Sequence, residues 1–338
     1  MLFIIGNGFD MALGLKTSYK DFLDWYLVQD SDTQGPRLRK FKNGITADIK
    51  ENVHSWADLE IKLGEYTANY GADEVDDFLF VYRDMKDQLN AYLKTQEDLV
   101  DYSNKKAIAN AMSKLLFNFY KGFPANQRRR LEAELESSQS TVVYNFITFN
   151  YTRVLEKCIE LFPNPLRKRG QYYHVRDTLG TIHYLHGEID NSPLFGVDHP
   201  PQIHNEAFRT DRHVLLALVK PYMNEEMQYN TATQAQTLID HSDTICILGT
   251  SLGDSDVSWW QCIGGWLAKN KHRRLVILWF SREQISKVHG DLVYDRIDAI
   301  KTRFIKQAAV NESVKSQILV QIYTELFDIK LIPDTAAE

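Results

Sequence analysis

The sequence predicts an α/β protein: a Rossmann-like, doubly wound and mostly parallel sheet that carries a large α-helical insertion after its first strand. Three observations lead there. Leu2-Phe3-Ile4-Ile5 is a continuous apolar run ending in the glycine-rich turn Gly6-Asn7-Gly8, the pattern of a strand buried on both faces that feeds a helix. Strand-like runs return after residue 141 with helical patterns between most of them, as βα alternation requires. Between the first strand and the second lie more than a hundred residues of helical spacing, too many for a simple crossover.

The first strand is expected at the centre of the sheet. From Tyr19 to about Leu135 the apolar positions fall at helical intervals: Phe22 and Tyr26, then Leu59, Leu63 and Tyr66, then Phe78, Val81, Tyr82, Met85, Leu89 and Tyr92. Residues 19–140 are therefore read as a helical insertion or cap, and 1–18 with 141–338 as the sheet domain. Later strands are expected at Val142–Phe149, Ile182–Leu185, Thr244–Leu248 and Leu275–Phe280, with a weaker one at Leu194–Val197. Helices are expected at Arg153–Leu161, Ala207–Val219, Glu225–Ile239, Val257–Ala268 and Ser313–Phe327. The proline-bearing stretches 163–170 and 191–206 read as loops, and the residues after Pro333 as a tail.

Composition narrows the class of function. With 338 residues, 44% hydrophobic and 25% charged, the chain is an ordinary globular protein. A net charge of -6 gives no broad basic surface for nucleic acid, and Arg128–Arg130 with Lys271, Arg273 and Arg274 read as solvated helix and loop ends. Cys158, Cys246 and Cys262 show no CxxC spacing, which points to a reducing cytoplasm, with Cys246 a core thiol in Thr244–Leu248. No run approaches the roughly 18 apolar residues of a membrane span, so no membrane partner is expected.

Candidate chemistry gathers at strand ends. Gly6, Asn7, Gly8 and Phe9, followed by Asp10, stand where an open α/β sheet places a nucleotide. The turn is not the dehydrogenase fingerprint, because Met11 holds the position of its third glycine, and no GxxxxGK[ST] loop occurs. The second strand ends at Asn150, which reads either as a polar site residue or as the N-cap of a helix starting at Tyr151. The third ends at His186, on the face of Tyr184 and opposite His183. His186 is the leading general-base candidate. His183, His199, His204 and His213 follow no metal-ligand spacing, and no metal is expected. The fourth strand ends in Gly249-Thr250-Ser251, small residues that admit a ribose or phosphate, and Asp254 or Asp256 reads as an N-cap before Val257.

Gly6-Asn7-Gly8-Phe9-Asp10 with Gly14-Leu15-Lys16-Thr17-Ser18-Tyr19-Lys20-Asp21-Phe22 resembles the N-terminal signature of the AbiH family of bacterial abortive-infection proteins. Trp56-Ala57-Asp58-Leu59-Glu60, Phe149-Asn150-Tyr151-Thr152, Leu185-His186-Gly187 and Gly249-Thr250-Ser251-Leu252-Gly253 resemble that family's later blocks, in order. The same order is similar, more distantly, to the NAD-binding core of sirtuins. That likeness implies that Asn150 and His186 act on the nicotinamide riboside and that Gly249, Thr250 and Ser251 line the nucleotide; Thr17 and Ser18, shortly after the first turn, are read as joining it in binding. Departures are visible: Asn7, Asp10 and Thr152 replace the sirtuin alanine, serine and aspartate, and the paired CxxC motifs of a zinc ribbon are missing.

The resemblances together imply an anti-phage effector that binds NAD and hydrolyses its nicotinamide glycosidic bond. Asn150 would orient a water, His186 would accept a proton and Asp10 would supply negative charge. Glu60, four residues after Trp56, reads either as a second carboxylate for that site or as a salt-bridged acid beside a packing residue. Two alternatives stay open: a nucleotide-binding sensor or adaptor without chemistry, and metal-dependent phosphate chemistry using Asp10, Asp254 and Asp256. A phage-derived trigger or partner protein and self-association are the expected macromolecular contacts.

Overall fold

The computed structural model describes residues 1–29, 35–52, 54, 56–136, 141–162, 177–191, 193–226, 230–283 and 290–333. The loop expected at 163–170 and the tail after Pro333 lie outside the described residues. Among the described residues six strands form one sheet: β1 (Leu2–Ile5), β2 (Val143–Thr148), β3 (Thr178–Tyr184), β4 (Thr244–Leu248), β5 (Arg274–Phe280) and β6 (Ile318–Tyr323). Their order is β3-β2-β1-β4-β5-β6, and every pair is parallel. This is the doubly wound order whose direction reverses beside β1. β1 is central, with Phe3 beside Phe146 on one flank and Cys246 on the other.

The helices are α1 (Gly8–Ala12), α2 (Tyr19–Val28), α3 (Gly35–Glu51), α4 (Leu59–Tyr66), α5 (Val75–Asp98), α6 (Lys105–Asn118), α7 (Ala125–Glu136), α8 (Val154–Glu160), α9 (Arg212–Leu218), α10 (Lys220–Glu226), α11 (Thr231–Asp240), α12 (Val257–Ala268) and α13 (Gly290–Ala308). Because strand side chains alternate, β1 sends Phe3 and Ile5 to one face and Leu2 and Ile4 to the other. The first face packs on α6 and α8 through Met112, Leu116, Val154 and Cys158. The second packs on α11, α12 and α13 through Ile239, Trp260, Trp266 and Phe304. Cys246 lies in the first of these cores, fully buried.

A third core belongs to α2, α4 and α5 with the connection between β3 and β4: Phe22, Tyr26, Leu63, Phe78 and Tyr82 meet Phe195, Phe208 and Leu218. The long stretch between β1 and β2 thus serves two cores, since α6 lies on the sheet while α2, α4 and α5 build the cap. Local signals start the cap helices. Ser18 and Asp21 form a capping box at α2, and Asp58 accepts the Ile61 N–H at 3.2 Å to start α4.

Four expectations need correction. Ser313–Phe327 is not a helix; Glu312–Gln317 is a 3-10 turn, and Ile318–Tyr323 pairs with β5 as the edge strand. Ile318 and Val320 bury on one face while Leu319 and Tyr323 pack toward the other, so a nearly continuous apolar run fits a strand as well as a helix. Leu194–Val197 is not a strand of the sheet. It enters the cap core, and Val197 makes only an isolated bridge to Val219. The helix expected from Tyr151 starts instead at Val154, and the helix expected over Glu225–Ile239 has its regular turns at Thr231–Asp240. Among the described residues no helix is long and apolar enough to cross a membrane.

Candidate functional site

The carboxyl ends of β1 and β4 lie side by side at the point where the sheet order reverses. Gly6 N–H donates to Leu248 O, Gly8 N–H to Gly249 O, both at 2.8 Å, and Phe9 N–H to Gly6 O at 2.9 Å. Gly249 has φ +71°, and a Cβ there would stand 2.7 Å from both Gly6 O and Phe9 N. Close backbone approach between the two turns therefore requires this glycine. Asn7 and Thr17 bond reciprocally: the Asn7 amide donates to Thr17 O at 2.7 Å, and the Thr17 hydroxyl donates to Asn7 Oδ1 at 2.6 Å. Ser18 spends its hydroxyl on the α2 cap. Ser251 is exposed at the mouth of the second turn, and the buried Thr250 hydroxyl has no hydrogen-bond partner among the described residues.

One polar centre lies beside these turns. Asp10, on α1, is buried; it accepts from Asn150 Nδ2 at 3.0 Å and from the Thr152 hydroxyl at 2.5 Å. Burial pushes its carboxyl up to about 7 despite these two donors, which favour the ionised form. Asn150 is therefore not a helix N-cap. Its amide nitrogen serves Asp10, and its buried Oδ1 has no partner among the described residues.

A second centre forms around His186, in the turn after β3. His186 Nε2 lies 2.9 Å from Asp256 Oδ1, and Lys220 Nζ, from the start of α10, reaches the same oxygen at 2.8 Å. Lys220 also binds Glu60 Oε2 at 3.2 Å, and it is itself buried. Burial works against the ammonium, yet Asp256 and Glu60 outweigh it and hold its pKa above the ordinary lysine value. Asp256 is held well below the usual carboxylate range, its own burial outweighed by Lys220 and His186. Glu60 Oε1 accepts from Gly196 N–H at 3.1 Å and stands 3.3 Å from the Tyr151 hydroxyl. Burial and the neighbouring Glu60 push Asp58 up to about 6.

The two centres share one segment. Asn150 and Thr152 point to Asp10, whereas Phe149 and Tyr151 place their rings 5.1 and 6.0 Å from the His186 ring. Asn150 and Asp10 are thus in direct contact, and His186 joins a different set of partners. The expected caps also change hands. Asp254 accepts from Gln307, and Asp256 makes no cap bond; Asp198 instead accepts from the Ser258 N–H at 2.6 Å and its hydroxyl at 2.9 Å at the start of α12. Trp56 is a packing residue against Phe41 and Tyr66, while Glu60 is the salt-bridged acid next to the His186 centre. Asp10 and Asp256 thus answer to different partners, and among the described residues no three His, Cys, Asp or Glu side chains are placed to hold a metal ion.

Lys220 was not marked by any motif. It follows the apolar stretch of α9 and precedes Pro221, and only the fold brings it to Glu60 and Asp256, far away in sequence. His186 and Lys220 line a cleft of about 340 Å³ between α10, α11 and α12. No curated protein matches the chain. The profile of the family described as bacteriophage abortive infection AbiH matches residues 2–279, a span that holds both glycine turns and both polar centres. A match over most of the sequence, carried through the whole carboxyl edge up to β5, places the chain in the bacteriophage abortive infection AbiH family.

Proposed function

We propose that the protein is an abortive-infection effector that binds NAD at the carboxyl edge of its sheet and hydrolyses the nicotinamide glycosidic bond. The family membership implies the abortive-infection role. The observation that carries the chemistry is the Asn150–Asp10 pair: with Nδ2 engaged by Asp10, the buried Oδ1 is an acceptor suited to hold a water. Hydrolysis forms a bond from the water oxygen to ribose C1′ while the C1′–N bond breaks, and its electron pair leaves with neutral nicotinamide. The transition state carries oxocarbenium-like positive charge, which a carboxylate stabilises. Asp10, titrating near 7, supplies that charge near neutral pH. His186, oriented by Asp256, is the proton acceptor in this reading, which requires the bound substrate to bridge the Asp10 and His186 centres. The Thr250 hydroxyl offers a donor and an acceptor to a ribose.

Purified protein incubated with NAD is expected to release nicotinamide. Asn150→Ala and His186→Ala should each slow release by about 100-fold, the scale of general acid-base catalysis. Full activity in both variants overturns the residue assignment, and absence of nicotinamide under all conditions overturns the hydrolase. A second reading, a sensor that binds without turnover, uses the same edge; in both readings the N–H groups of Gly6, Gly8 and Phe9 are engaged by backbone carbonyls, so nucleotide contacts fall to side chains such as Thr250 and Asn150. A melting shift with NAD but no product selects the sensor; ligand at about 100 times its dissociation constant stabilises by roughly 2.7 kcal/mol.

A further inference from the structure

We propose that the cleft between α10, α11 and α12 is a binding subsite for a cationic aromatic ring bearing an N–H donor. The cleft, about 340 Å³, is at the small end of ligand pockets and fits one heterocycle rather than a whole dinucleotide. Its charge is negative. Asp198 and Glu225 line it, and Glu60 and Asp256 stand behind Lys220, whose ammonium they bind at 3.2 and 2.8 Å. With His186, which also lines the cleft, counted beside Lys220, the four carboxylates still outnumber the basic groups and leave the cleft attractive to a cation. Trp259 lines the same cleft and is only partly covered, and indole is the strongest aromatic partner for a cation. Asn224 lines it too, and its Oδ1 is buried without a hydrogen-bond partner among the described residues. A buried amide oxygen left unpaired is costly, and a ligand N–H relieves that cost.

Positive charge, a flat ring and an N–H donor are together the chemistry of a pyridinium carboxamide. The physiological ligand named by this inference rests on the NAD reading above, since oxidised NAD carries that group. The subsite itself is tested without turnover. Three pyridine probes are titrated calorimetrically into the full chain: 1-methylnicotinamide, which is cationic and keeps the amide N–H, nicotinamide, which is neutral and keeps it, and nicotinate, which is anionic and lacks it. The expected order is cation tightest and anion weakest, with about 10-fold or more between those two. Trp259→Ala and Asn224→Ala should each weaken the cation by about 10-fold, while Trp259→Phe keeps part of the affinity.

Equal affinity for cation and anion overturns the subsite, as does absence of binding at millimolar probe. Unchanged cation binding in both alanine variants, each melting like wild type, overturns it as well. The two readings fail separately. Nicotinamide release from NAD with no probe binding removes the subsite and leaves the hydrolase, whereas selective, variant-sensitive probe binding without NAD cleavage removes the hydrolase and leaves the subsite.

Discussion

Lys220 is the residue whose removal tests the buried network most directly. Its ammonium binds Asp256 at 2.8 Å and Glu60 at 3.2 Å, and all three side chains are largely out of solvent. In Lys220→Met the side-chain volume is kept, but two buried carboxylates lose their counter-charge. Breaking one partner of a buried pair costs about 3–5 kcal/mol. Here the lower end applies, because Glu60 keeps the Gly196 N–H and Tyr151, and Asp256 keeps His186. A loss of about 3 kcal/mol is a large part of a total near 5–15 kcal/mol. At about 2 °C per kcal/mol it lowers the melting midpoint by about 6 °C. The assay is a double-mutant cycle by urea unfolding at pH 7 with Glu60→Gln. The double variant should be less destabilised than the sum of the singles by about 1 kcal/mol or more, since glutamine removes the charge that Met leaves unpaired. A single variant within about 0.5 kcal/mol of wild type, or strict additivity, refutes the argument.

Other outcomes follow from the same geometry. Folded Asp10 keeps its proton up to about pH 7, whereas an unfolded aspartate loses it near 4, so the folded state binds more protons in between. Stability should therefore fall as pH rises from about 4 to 7, by about 4 kcal/mol from this group, and Asp10→Asn should abolish that slope. Unfolding curves at pH 4, 5.5 and 7.5 check it; the same slope in wild type and variant defeats it. Gly249→Ala puts a Cβ 2.7 Å from Gly6 O and Phe9 N at φ +71° and should cost more than about 2 kcal/mol. Gly265→Ala in α12, with nothing within 4 Å of its Cβ, should instead hold or raise stability by up to about 1 kcal/mol, measured in the same denaturation series.

Much of the architecture was legible because buried parallel strands read as continuous apolar runs. β1, β4 and β5 announce themselves this way, and the glycine turn after β1 marks the ligand edge of an open sheet. β6 was not legible, since an apolar run that packs on both faces has no period to distinguish strand from helix. Asn150 and His186 could be picked from their place after strands, and Asp10 from its place in the turn. Their partners could not. An aspartate before a helix is ordinarily its cap, so Asp256 reads as local until Asp198, at the far end of a long connection, is seen to bind the Ser258 N–H in its place. Spacing put Glu60 on the face of Trp56, but the lysine it meets is supplied by a helix 160 positions away.

The segment after β2 explains why the cap and the sheet edge behave as one unit. Its backbone alternates, so Asn150 and Thr152 serve Asp10 while Phe149 and Tyr151 serve the His186 side. Tyr151 then meets Glu60 on cap helix α4, and Glu60 meets Lys220, which meets Asp256 before α12. The chain of contacts therefore runs from the turn after β1, through four residues, into the cap and back to the turn after β4. Any displacement of α4 must either break the Glu60–Lys220 pair or move Lys220 with it, and either event alters the charge balance around Asp256. Cap helix α4 and the His186 centre are consequently linked through buried charge, where screening by salt is weak and the energetic cost of separation is high.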